Sequence, residues 1–158
     1  MLEGYRLENY LKNDLFEGII GKQDYLNLYN EDVIDKFNTV LISIHDPDSM
    51  VHPESKLQGF KDVLQIQFWD VEDDIGKYVV ISDEQGKIIR DFIEKNKNSK
   101  FLIHCAAGQS RSAGVACAVE CIVNFDGDKY AYQTGSSDVK KHERYSPNLA
   151  VFDAIIKS

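Results

Sequence analysis

The decapeptide Ile103-His104-Cys105-Ala106-Ala107-Gly108-Gln109-Ser110-Arg111-Ser112 constrains this chain more than any other feature. It overlaps a short apolar run, Phe101 to His104, that reads as a buried strand, and it leads into Ser112 to Asn124, which reads as a helix rich in Ala, Val and Cys. A strand that passes through so short a loop into a helix can turn successive backbone N–H groups inward at the positive end of the helix, which makes an anion nest. Ala106, Ala107 and Gly108 carry little or no side chain, so the backbone can approach a bound oxyanion closely. Arg111 adds a planar fork of donors suited to two phosphate oxygens at once. A cysteine at the base of such a nest is expected to react as a thiolate, because helix N-termini and neighbouring cations favour that form.

The rest of the chain supplies a scaffold around that loop. Thr39 to Ile44 is a β-branched run that ends at His45-Asp46-Pro47-Asp48 and reads as a buried strand leaving into a loop. Val63 to Phe68 alternates apolar and polar residues and reads as a second strand. It exits into Trp69-Asp70-Val71-Glu72-Asp73-Asp74, an acidic loop whose Glu72-Asp73-Asp74 is expected to face solvent. Ser82, with Gln85 three residues on, forms a capping box ahead of a helix whose apolar stripe is Ile88, Ile89, Phe92 and Ile93. Gln133 to Ser137 reads as a polar turn. Ser146-Pro147 reads as the start of a final helix, with Ser146 as cap and Leu149, Val151, Phe152, Ile155 and Ile156 as its apolar face. In the first thirty residues no clear pattern emerges; Asp24 to Phe37 has only a rough helical spacing. Short apolar strands alternating with helices predict an α/β fold, a central and mostly parallel sheet flanked by helices. No boundary or repeat divides residues 1–158, so one domain is expected.

Composition narrows the partners. Lys and Arg number 18 against 26 Asp and Glu, a formal charge of −8. Nucleic acid and anionic membrane both need a clustered basic surface, so neither is expected as the main partner. No apolar run approaches the roughly 18–20 residues of a membrane span. Met1 to Arg6 lacks the basic start and apolar stretch of a signal peptide. Three cysteines do not make a disulfide scaffold, and a reducing cytoplasm is the expected compartment.

His104-Cys105, five residues, then Arg111-Ser112 resembles the signature of the protein tyrosine phosphatase superfamily, and the short chain resembles its compact dual-specificity branch. The detailed resemblance spans about Val63 to Asn124. It implies that Cys105 attacks phosphorus and becomes a phosphocysteine, that Arg111 holds the phosphate and its transition state, and that Ser112 hydrogen-bonds the departing thiolate. Ala106, Ala107, Gly108, Gln109 and Ser110 would supply the backbone of the phosphate cradle, and His104 would orient the loop. The family also uses an aspartic acid about thirty residues upstream, after a strand. Asp70, 35 residues before Cys105, fits that place, although the proline that follows Trp in larger members is absent after Trp69. Leu64, Ile66 and Phe68 share one strand face, so Asp70 continues that direction to the sheet edge where α/β sites open. No metal and no cofactor enter the expected chemistry.

The expected substrate is a phosphorylated protein or a small phosphomonoester. Relatives acting on inositol lipids often carry lysines in the loop, where this chain has Ala106, Ala107 and Gln109. A rhodanese-like sulfurtransferase and a catalytically silent phosphate-binding module are the alternatives. The first typically has a loop shorter by one residue, and the second usually lacks the Cys, the Arg or the Asp. Cys117 and Cys121, one helical turn apart, are expected to face the sheet; a protective disulfide from Cys105 to either is left open. His45, Asp46 and His52 are read as loop residues, exposed or at the mouth of the site.

Overall fold

The structure is a computed structural model, and it describes residues 10–158. The residues read above for a signal peptide lie outside that range. Four strands, β1 (Phe16–Gly21), β2 (Thr39–His45), β3 (Asp62–Gln67) and β4 (Lys100–Cys105), form one sheet in the order β1-β4-β2-β3. Every neighbouring pair is parallel. Helix α1 (Lys22–Asn30) follows β1, and α2 (Asp83–Lys95) lies between β3 and β4. Then come α3 (Arg111–Phe125), α4 (Lys129–Thr134), α5 (Asp138–Lys141) and α6 (Leu149–Ile156).

Side chains alternate across the sheet and divide the core into two. Val40, Ile42 and Ile44 of β2 pack with Phe101 and Ile103 of β4 against α2, α3 and α6. Leu41 and Leu102 face the other way and pack with Tyr25 and Leu28 of α1. Helix α3 is buried along nearly its whole length, which its Ala, Val and Cys content permits. Cys117 and Cys121 are part of this core and are free thiols.

The capping box of α2 forms as expected: Gln85 N–H donates to Ser82 Oγ and Ser82 N–H to Gln85 Oε1, each at 3.1 Å. Ile89, Phe92 and Ile93 are buried, but Ile88 is half exposed at the edge of the stripe. Two readings need correction. The last helix is capped by Asn148, not Ser146: Asn148 Oδ1 accepts from Val151 N–H at 3.1 Å, and Leu149, at the first turn, is exposed. The stretch read as a polar turn at 133–137 is partly helical, because α4 runs to Thr134. Buried Glu120 explains the bend that follows. It accepts from the hydroxyls of Tyr132 (2.7 Å) and Ser137 (2.6 Å) and from the N–H groups of Asp138 and Val139.

Candidate active site

Strand β4 ends at Cys105 and α3 begins at Arg111, so residues 106–110 turn the chain at the carboxyl edge of the sheet. The turn depends on Gly108, whose φ of +72° only glycine adopts freely, and a Cβ there would stand 2.3 Å from Gly21 N and Ile20 C. The loop is fastened on both sides. Lys22 N–H donates to Ala106 O (3.1 Å), while Ser146 and Asn148 donate their N–H groups to Gln109 O (2.9 Å) and Ser110 O (3.0 Å). Arg144 reaches Gly108 O and also faces Asp24. Cys105 Sγ is buried at the centre, 3.2 Å from Ser112 Oγ and 3.3 Å from Gly108 N, which donates to it. Ala106, Ala107 and Gln109 are exposed around it.

Arg111 is buried, and its Nη1 donates to Phe68 O at 2.7 Å and pairs with Asp46 Oδ1 at 2.8 Å. Asp46, read as a loop residue at the mouth, is thus a direct partner of the arginine. Arg111 Nε is buried without a hydrogen-bond partner, the only such side-chain nitrogen among the described residues.

Asp70 stands at the exit of β3 beside the loop. Its Oδ1 accepts from Ser110 Oγ at 2.8 Å and from Asn148 Nδ2 at 3.0 Å. Glu72 and Asp74 of that stretch turn elsewhere, accepting from Leu149 N–H and Val80 N–H, both at 2.8 Å. The structure therefore brings together Cys105, Ser112, Arg111 and Asp70. It adds Asn148, Asp46 and Arg144, which no motif in the sequence marks.

His104 points to the opposite face from Cys105 and is fully buried. Its Nδ1 lies 3.3 Å from Cys105 O, and its Nε2 lies 2.7 Å from Ser43 Oγ and 2.9 Å from His52 Nε2. Tyr25 stacks on its ring. Burial, with His52 alongside, pushes His104 down to about 3, and burial with His45 beside it pushes His52 down to about 4, so both rings are neutral near pH 7. His45 is lowered by burial as well. His45 and His52, expected to be exposed or at the mouth of the site, are instead buried, 3% and 5% exposed.

No family model matches the sequence, and no curated protein matches it. Solved structures do. The Yvh1 phosphatase domain from Chaetomium thermophilum is similar at 21% identity and TM-score 0.55, with 94% of this chain and 92% of that one covered. DUSP15 is similar at 18% identity and TM-score 0.54, covering 89% and 80%. PTPMT1 is similar at 15% identity and TM-score 0.55, covering 83% and 82%. The chain has the fold of the dual-specificity and tyrosine phosphatases, with a Cys-to-Arg loop at the carboxyl edge of its parallel sheet.

Proposed function

We propose that this chain hydrolyses phosphomonoesters, with phosphoproteins as the main substrate class, through a phosphocysteine on Cys105. One observation supports this reading above the others: a buried guanidinium with an unpartnered N–H on the loop that surrounds a buried cysteine. A buried donor left unpaired is destabilising by about 1–3 kcal/mol, and a phosphate oxygen would satisfy it.

In the first step the thiolate of Cys105 attacks phosphorus and the P–O bond to the leaving group breaks. Asp70 gives its proton to the departing oxygen; its hydrogen bonds from Ser110 and Asn148 fall on Oδ1, so Oδ2 is the oxygen suited to carry that proton. In the second step a water gives a proton back to Asp70 and attacks phosphorus. The S–P bond breaks, and phosphate leaves while Ser112 Oγ and Gly108 N–H stabilise the thiolate. Arg111 and the loop N–H groups take up the charge on the equatorial oxygens in both steps.

PTPMT1 was solved in complex with PI(5)P. Ala106, Ala107 and Gln109 offer no cation for additional phosphates, and the chain carries a formal charge of −8, which favours phosphopeptides over inositol lipids here. The test is turnover of a series of aryl phosphates, then of phosphopeptides and inositol phosphates. Expected are vanadate-sensitive hydrolysis and a preference for phosphopeptides; activity on lipids alone, or none with vanadate failing to bind, overturns the reading.

A further inference from the structure

The face of the sheet opposite Cys105 carries a second constellation of chemistry-bearing side chains. The strand register sets His104, Ser43 and Gln65 in one row across β4, β2 and β3, since Ser43 pairs with both of the others. His45, two residues on from Ser43, lies on the same face. His52 enters from the loop between β2 and β3, held by Gln65, which accepts from His52 N–H and donates to His52 O. The ligand atoms of the three imidazoles come within 4.8 Å of one another, in a buried place roofed by Tyr25.

We propose that His45, His52 and His104 form a site for one divalent transition-metal ion of the zinc class, behind the phosphate-binding loop and off the reaction path. The ring arrangement fits. With Zn–N near 2.1 Å and about 1.1 Å from nitrogen to ring centre, three imidazoles at tetrahedral angles have centres about 5.2 Å apart. The observed separations are 4.8, 4.9 and 5.4 Å. The rings also splay rather than stack, with His45 steeply inclined to both of the others.

The hydrogen bonding of His104 suits a ligand role. His104 Nδ1 faces the carbonyl of Cys105, so it carries the hydrogen and leaves Nε2 with one lone pair. Ser43 Oγ and His52 Nε2 both stand within hydrogen-bond distance of that lone pair. Gln65 Oε1 lies 3.1 Å from His45 Nε2 and accepts its hydrogen, which a metal would displace. An N–H given to a backbone carbonyl is also the usual outer support of a metal-bound histidine. Ser43 Oγ, 2.7 Å from both His45 Nε2 and His104 Nε2, bridges the two rings by hydrogen bonding. Imidazole donors suit zinc or cobalt rather than calcium or magnesium. An ion there would fix His104 and, through it, the carbonyl of Cys105.

The experiment uses the full chain carrying Cys105→Ser, so that the nucleophile cannot bind metal and the result is independent of whether the protein is a phosphatase. Chelator-stripped protein is titrated with Co²⁺, and Zn²⁺ is then added in competition. Expected are one equivalent bound, a visible d–d band without a sulfur-to-metal charge-transfer band, and X-ray absorption fitted by three imidazole nitrogens. His52→Gln and His45→Gln should each weaken binding at least 100-fold with the circular dichroism spectrum retained. If either variant fails to fold, the absorption data on the Cys105→Ser protein decide alone. No binding at millimolar Co²⁺, a thiolate band from Cys117 or Cys121, or affinity indifferent to both histidine changes overturns the proposal.

Discussion

Replacing Gly108 by alanine puts the architecture of the loop to a quantitative test. Two separate penalties act. The residue has φ +72°, a region that costs an L side chain about 1–2 kcal/mol. Its new Cβ would also lie 2.3 Å from Gly21 N and Ile20 C and 2.7 Å from Ile20 O. Ordinary carbon contacts begin near 3.5 Å, so something has to give by about 1 Å. The β1 end resists, because Gly21 pairs with Cys105 in the sheet and Lys22 N–H is bonded to Ala106 O. The loop therefore yields, and Gly108 N–H withdraws from Cys105 Sγ. Strain plus overpacking amount to about 3 kcal/mol, which lowers Tm by about 9 °C at this chain length. A displacement near 1 Å at the reacting centre lowers kcat about 100-fold. Gly76→Ala is the control: φ is +60° there, but no atom lies within 4 Å of the added Cβ. It should lower stability by only about 1–2 kcal/mol and leave kcat unchanged. Thermal melts and steady-state aryl phosphate kinetics read both variants. Equal losses in the two proteins, or wild-type kcat for Gly108→Ala, would refute the close approach of Gly108 to β1.

Three further outcomes follow from the site. Arg111→Lys keeps the charge but loses the planar fork, so kcat/KM should fall at least about 100-fold; a near-wild-type rate assigns Arg111 a structural role through Asp46 and Phe68 O. Asp70→Asn should slow esters with poor leaving groups about 100-fold or more and good ones far less, and Asp74→Asn should leave the leaving-group dependence unchanged; the reverse pattern places the acid farther along the loop. Burial pushes Cys117 up to about 11 and also raises Cys121, so both stay protonated near neutral pH. Iodoacetate at pH 6 should therefore label Cys105 first, as mass spectrometry of the peptides would show, and equal labelling of all three would sink the assignment of Cys105 as the reactive thiol.

Strands β2, β3 and β4 were legible because each is a β-branched or alternating run ending at a polar turn. Strand β1 was hidden by its own glycines: Gly18 and Gly21 weaken strand propensity, yet Gly18 makes room for Tyr10 and Gly21 for the backbone of Ala106 and Ala107. Those are long-range packing reasons that no local pattern carries. The loop itself was readable because its residues lie together in the chain. Asp46, Asn148 and Arg144 lie 59, 43 and 39 residues from Cys105 and meet the loop only through the fold. The histidine cluster was misread for a related reason. His52 sits in a loop that looks solvated, and only the bonds from Gln65 to its backbone show that the loop folds inward over the sheet.

The central claim is covalent chemistry at one sulfur. Rapid-quench digestion of the wild-type enzyme during turnover of an aryl phosphate, with peptide mapping by mass spectrometry, tests it directly. The account predicts one phosphoryl group on the peptide containing Cys105, formed in a burst, lost on a chase with water, and absent from Cys105→Ser. Turnover with no phosphoryl-enzyme, or a phosphoryl group on any other residue, would contradict it.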